Sequence, residues 1–92
     1  MHFKDADIEA FWNGVALPKR VPAQCRKTLF RRLQMLDAAH SLVDLRVPPG
    51  NRLEKLSGNR SGKYSIRVNQ QWRLCFIWEN GEAREVEFCD YH

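Results

Sequence analysis

The chain has 92 residues, of which 43% are hydrophobic and 28% charged, with a net charge of +4. That is one domain with room for one modest core, and it excludes a disordered chain. No apolar run is long enough to cross a bilayer, and Asp5, Asp7 and Glu9 stand where a signal peptide would need an apolar stretch.

Residues 5–13 read as a short helix with Ile8, Phe11 and Trp12 on one side. The stretch 13–22 is a linker punctuated by Gly14, Pro18 and Pro22. Pro22 suits the first turn of a second helix running to about Ala39. Its buried stripe is Cys25, Leu29, Leu33 and Leu36. Lys27, Arg31 and Gln34 fall opposite, while Arg26 and Arg32 flank the stripe with wet charges. Residues 40–52 form a connection with a helical turn near Leu42 to Leu45, closed by "VPPGN" at 47–51.

After Asn51 the period becomes strand-like. Leu53 and Leu56 bound a short strand or turn, and "SGNRSGK" at 57–63 is a glycine-bearing loop. Strands follow at 64–68, 72–78 and 84–89. Helices first and a meander of strands afterwards predict an α+β fold. Two N-terminal helices would pack on one face of a small antiparallel sheet, leaving the other face to a ligand.

Strand parity refines this. Tyr64, Ile66 and Val68 share a face, as do Trp72, Leu74, Phe76 and Trp78. If both apolar faces enter one core, the connection Asn69-Gln70-Gln71 pairs Val68 with Trp72 and Ile66 with Leu74. Arg67 then lies opposite Arg73. Like charges facing each other are unfavourable unless an anion lies between them, and the arginine fork suits a phosphate. The plainer account is that both splay into water. "ENGE" at 79–82 signals a tight turn. A three-residue loop or a bulge would set Phe76 against Val86, Leu74 against Phe88 and Cys89 opposite Arg73. The tail Asp90-Tyr91-His92 then runs past that arginine, with Tyr91 on the arginine face.

Charge supports the same surface. From Arg46 to Arg73 there are seven basic residues and one acid; from Leu74 to His92 there are five acids and one base. Basic clustering suits a polyanion such as nucleic acid, although a solvated surface would look alike. Cleavage of RNA through its own 2′-hydroxyl needs a proton acceptor, a neutralised phosphate and a proton donor. His92 can move protons near neutral pH, and Arg73 and Arg67 can hold the phosphate. Tyr91 can orient or stack a nucleotide, and Asp90 can orient His92. Cys25, Cys75 and Cys89 are odd in number, with no CxxC spacing, and His2 and His40 stand alone. No disulfide framework, metal or cofactor is expected, and a reducing cytoplasm is.

The stretch 62–92, with "SIRVN" (65–69), "QWR" (71–73), the "NG" hairpin and the terminal "DYH", resembles the HigB-like toxins of the RelE superfamily. The similarity continues upstream through "PPGNRLEKLSGNRSG" (48–62) and "VPAQ" (21–24), covering nearly the whole of residues 1–92. The resemblance implies a RelE-like fold and a toxin of a type II toxin–antitoxin system. It further implies an endoribonuclease that cleaves mRNA in the aminoacyl site of translating ribosomes. A cognate helix-turn-helix antitoxin would bind the toxin, linking it to DNA only indirectly.

The resemblance assigns Arg73, His92 and Tyr91 to the active site, with Asp90 in support, and matches Arg67 to the arginine of "SIRVN". Many relatives read "LKG" where this chain has Leu56-Ser57-Gly58, and some carry histidine at the place of Glu54. Lys55, Arg60 or Lys63 would then supply the missing positive charge. Two other accounts fit: a non-catalytic RNA- or ribosome-binding inhibitor of translation, and a subunit that acts only in complex with an antitoxin.

Overall fold

The computed structural model describes residues 1–56 and 62–90. The loop positions 57–61, which include Ser57 and Arg60, and the tail residues Tyr91 and His92 lie outside the described residues. The fold is α+β: helix α1 (Ala6–Trp12), helix α2 (Arg26–Ala38), and a four-stranded antiparallel sheet. Its strands are β1 (Glu54–Lys55), β2 (Lys63–Arg67), β3 (Trp72–Glu79) and β4 (Glu82–Asp90), lying side by side in chain order.

Local sequence explains each boundary. Asp7 and Glu9 sit in the first turn of α1, where the helix dipole favours negative charge. The helix stops at Asn13 because Gly14 adopts φ +74°. The N–H of Gly14 then donates to Phe11 O (3.1 Å) and that of Val15 to Ala10 O (2.8 Å), which satisfies the last carbonyls. A 3-10 turn over Ala23–Cys25 leads into α2. The predicted stripe is buried: Cys25, Leu29, Leu33 and Leu36 are at most 3% exposed. Between α2 and the sheet, buried Asn51 ties down the connection. Its Nδ2 donates to Leu45 O (3.2 Å) and Val47 O (3.3 Å). Nothing in its local sequence marks that role.

The sheet follows the parity read from the sequence. Ile66 faces Leu74, Arg67 faces Arg73, Leu74 faces Phe88, and Arg73 faces Cys89. The loop-or-bulge ambiguity resolves as a bulge. Asn80 (φ 54°) and Gly81 (φ 76°) make a two-residue turn that pairs Glu79 with Glu82. The register then shifts between Cys75 and Ile77, with Glu85 at φ 49°, so that Glu85 and Val86 together oppose Phe76. The extra residue restores Val86 and Phe88 to the apolar side. Ile66, Leu74, Phe76, Val86 and Phe88 form one buried cluster with Ile8 of α1 and the leucines of α2.

The chain start closes the outer edge of β4. Phe3 bridges Val86 in parallel, Val86 N–H donates to His2 O (3.0 Å), and Lys4 N–H donates to Val86 O (2.9 Å). Phe88 N–H donates to Asp5 Oδ2 (2.8 Å), and Arg20 Nη1 donates to Phe88 O (3.0 Å). Arg20 also bonds Asp5 and Asp7. Its hydrogen bond holds the Asp7 carboxyl below the usual 3.8. Burial pushes the Glu87 carboxyl up, but the Cys89 thiol, Lys4 and Lys63 outweigh it and hold the group below the usual 4.5.

Because both carboxyls are depressed, the stability they contribute is complete above the unfolded values and is lost as pH falls through the folded ones. Arg20→Met is expected to cost about 1 kcal/mol at neutral pH and to flatten the acid limb of a stability-versus-pH curve measured by urea unfolding. Leu74→Ala, in the middle of the buried cluster, is expected to cost about 2–5 kcal/mol in the same measurement.

Candidate active site

The β2–β3 connection positions the two arginines. Asn69 Oδ1 accepts from the N–H groups of Gln71 (2.8 Å) and Trp72 (2.7 Å), a side-chain turn that brings β3 back along β2. From α2, Arg32 Nε donates to Arg67 O (2.9 Å), and Asn69 Nδ2 lies 3.0 Å from Cys25 Sγ. Desolvation, and then the neighbouring Arg31 charge, lower the Arg32 pKa from its ordinary value. The corner carrying Arg67 is thus fastened to the helix.

Arg73 is only 3% exposed. A buried cation persists only where acceptors meet it. Here Nε donates to Ser65 Oγ (2.8 Å), and Nη2 donates to the carbonyl oxygens of Arg52 and, at 3.4 Å, Ser65. Glu54 Oε1 lies 3.9 Å from Nη2. Arg52 presents its carbonyl from a left-handed conformation, φ 45° and ψ 59°. This non-glycine strain is tolerated where the surrounding structure enforces it.

Above this arginine lies a cleft of about 330 Å³ lined by Arg52, Glu54, Arg67, Asn69, Gln70 and Arg73. Among the described residues, three arginines against one carboxylate make its lining net positive. The amide side chains of Asn69 and Gln70 add neutral hydrogen-bonding groups.

Of the residues singled out in the sequence, Arg67 and Arg73 meet in this cleft. Lys63 shares their parity but lies toward the other end of β2, its Nζ 3.4 Å from Glu87 Oε2. Lys55 pairs with Tyr64, so strand alternation puts it on the face opposite Ser65 and Arg67. Asp90 pairs with Trp72 and accepts from Gln71 Nε2 (3.2 Å), again on the parity opposite Arg73. Arg60, Tyr91 and His92 lie outside the described residues.

Sequence reasoning missed Ser65, Arg52, Asn69 and Gln70, and it noted Glu54 only as a departure from relatives. Asn three residues before Trp72 was a readable turn signal. The pairing of Glu54 with Ser65 was not, because the loop between β1 and β2 leaves their register open. The neighbouring Cys75 thiol and burial raise the pKa of Cys89, opposite Arg73, which disfavours its thiolate.

A small antiparallel sheet that buries one arginine and arrays others around a polar cleft defines an α+β protein with a net-positive site. The chain belongs to the HigB-like toxin family: the model of the RelE-like toxin of the type II toxin–antitoxin system HigB matches residues 1–92. It is 47% identical over 83 residues to Toxin HigB-1 of Vibrio cholerae, covering 90% of this chain and 87% of that one. It is 38% identical over 72 residues to Endoribonuclease HigB of Proteus vulgaris, covering 78% and 77%. The fold resembles that of the YoeB–YefM complex from Staphylococcus aureus, with a TM-score of 0.63 at 21% identity over 99% of this chain and 93% of that one. The YoeB dimer from the same organism gives a TM-score of 0.59 at 22% identity, with the same coverage.

Ser65→Ala removes the acceptor of the Arg73 Nε–H. It is expected to lower thermal stability by about 1–3 kcal/mol, read by calorimetry, an effect larger than an exposed serine would give.

Proposed function

We propose that this protein is an endoribonuclease toxin that cuts mRNA in the aminoacyl site of the ribosome and is held in check by a protein antitoxin. The observation that carries this reading is the pairing of Arg67 with Arg73 in a cleft rimmed by three guanidiniums. Arg73, fixed in advance by Ser65 and the Arg52 carbonyl, would stabilise the charge growing on the scissile phosphate without reorganising during reaction. Arg67 would hold the phosphate from the opposing strand. The 2′-hydroxyl attacks phosphorus, and the 5′-oxygen leaves as it takes a proton.

His92 is assigned to proton transfer, Tyr91 to orienting the nucleotide, and Asp90 to supporting the tail. These assignments rest on the match to "DYH" and on the pairing of Cys89 with Arg73 two residues before Tyr91. Lys63 and Arg60 would add charge along the RNA backbone, whereas Lys55, on the other parity, takes no part. This reading would put both helices on one face of the sheet and the cleft on the other. The names of the relatives, toxin and endoribonuclease, support the activity.

The test is induction in cells with mapping of mRNA 5′ ends, for the wild type and for Arg73→Ala, Arg67→Ala and His92→Ala. Wild type is expected to produce new ends within the translated part of mRNAs. Arg73→Ala and His92→Ala are each expected to cut at least about 100-fold more slowly, with circular dichroism confirming that they fold. Growth arrest by wild type without new ends would replace cleavage by occupancy of the ribosome.

A further inference from the structure

A second surface is built from residues with no place in the arginine cleft. From Ala10 to Leu36 the chain carries six basic side chains and no acidic one. Between the end of α1, the following linker and the outer flank of α2 lies a groove of about 430 Å³. Phe11, Leu17 and Phe30 make its apolar wall, and Arg26, Lys27 and Arg31 edge it. Phe11 meets Phe30 edge-on with centroids 5.7 Å apart, so the wall is packed in place.

Leu17 is 62% exposed, and the adjoining Val15 is 76% exposed. A neighbouring hollow of about 300 Å³ continues the apolar surface along the linker. Lys27 and Arg31 stand one turn apart on α2, a like-charged pair that opposes helix stability. Among the described residues neither makes an ion pair, and Arg26 Nε is buried without a hydrogen-bond partner. Such a surface wants an occupant that is both apolar and acidic.

We propose that this groove seats an amphipathic, acidic helix of the antitoxin encoded with this toxin. Its aliphatic side chains would lie on Leu17 and Phe30, and its carboxylates would reach Lys27 and Arg31. A helix laid in a groove meets such a surface through residues spaced three and four apart, which matches the single turn between the two cations. RNA would satisfy the charge but leave Leu17 and Val15 against water, so a protein helix fits better. The proposal rests on membership of the toxin family and not on the nuclease reading.

The experiment is calorimetric titration of the full-length toxin with its full-length antitoxin, without RNA. Leu17→Asp and the double change Lys27→Glu with Arg31→Glu are each expected to weaken binding at least tenfold. The double variant should also lose most of the salt dependence seen with wild type. Both are expected to fold by circular dichroism and to retain wild-type toxicity when the antitoxin is absent. Lysine placed at the matching acidic positions of the antitoxin should restore affinity for the charge-reversed toxin. Unchanged affinity in both variants would overturn the proposal. So would a silent Leu17→Asp accompanied by loss of ribosome association in the charge variant, since the patch would then bind RNA. If the toxin cuts no mRNA at all, the titration still decides this point.

Discussion

The turn made by Asn69 is the constraint on which the rest of the molecule depends. Its side-chain oxygen takes the N–H groups of Gln71 and Trp72, and this sets β3 in one register against β2. In that register Ile66, Leu74 and Phe88 enter the core, while Arg67, Arg73 and Cys89 line up on the other side of the sheet. A slip of one residue would bury the arginines among the leucines and strip the cleft of charge. Folding and the basic cleft are therefore not separate achievements, because the hydrophobic demand of one face places the cations of the other.

The cleft also shows how a sheet tolerates a charge that water cannot reach. Among the described residues, Glu54 stands 3.9 Å from Arg73 Nη2. Arg73 also donates to a hydroxyl and two carbonyls, which satisfy hydrogen bonds without cancelling the charge.

Alternation along 64–68 and 72–78 carried the register in advance, because strand periodicity and the need for one core leave a single consistent pairing. The need for one extra residue, in the loop or as a bulge, was legible for the same reason: without it Val86 and Phe88 would face the wrong way. Features made by distant backbone groups were not legible. The carbonyl of Arg52 reaches Arg73 only through a left-handed residue, and buried Asn51 looks in the sequence like any loop asparagine. The polar stretch around Phe3 carries too short a pattern to predict that it borders β4. Lys55 and Asp90 were grouped with the site by charge and nearness in sequence, yet alternation sends them to the other parity.

The bridge between Phe3 and Val86 has a kinetic consequence. It joins segments 83 residues apart in a chain of 92, so the outermost edge of the sheet is sealed by a contact spanning most of the chain. Closing such a loop costs chain entropy before its hydrogen bonds can repay it. A growing chain that has made α1, α2 and most of the sheet still lacks its final seam. β4 also sets Cys89 opposite Arg73, so the edge seam and the basic cleft depend on the same strand.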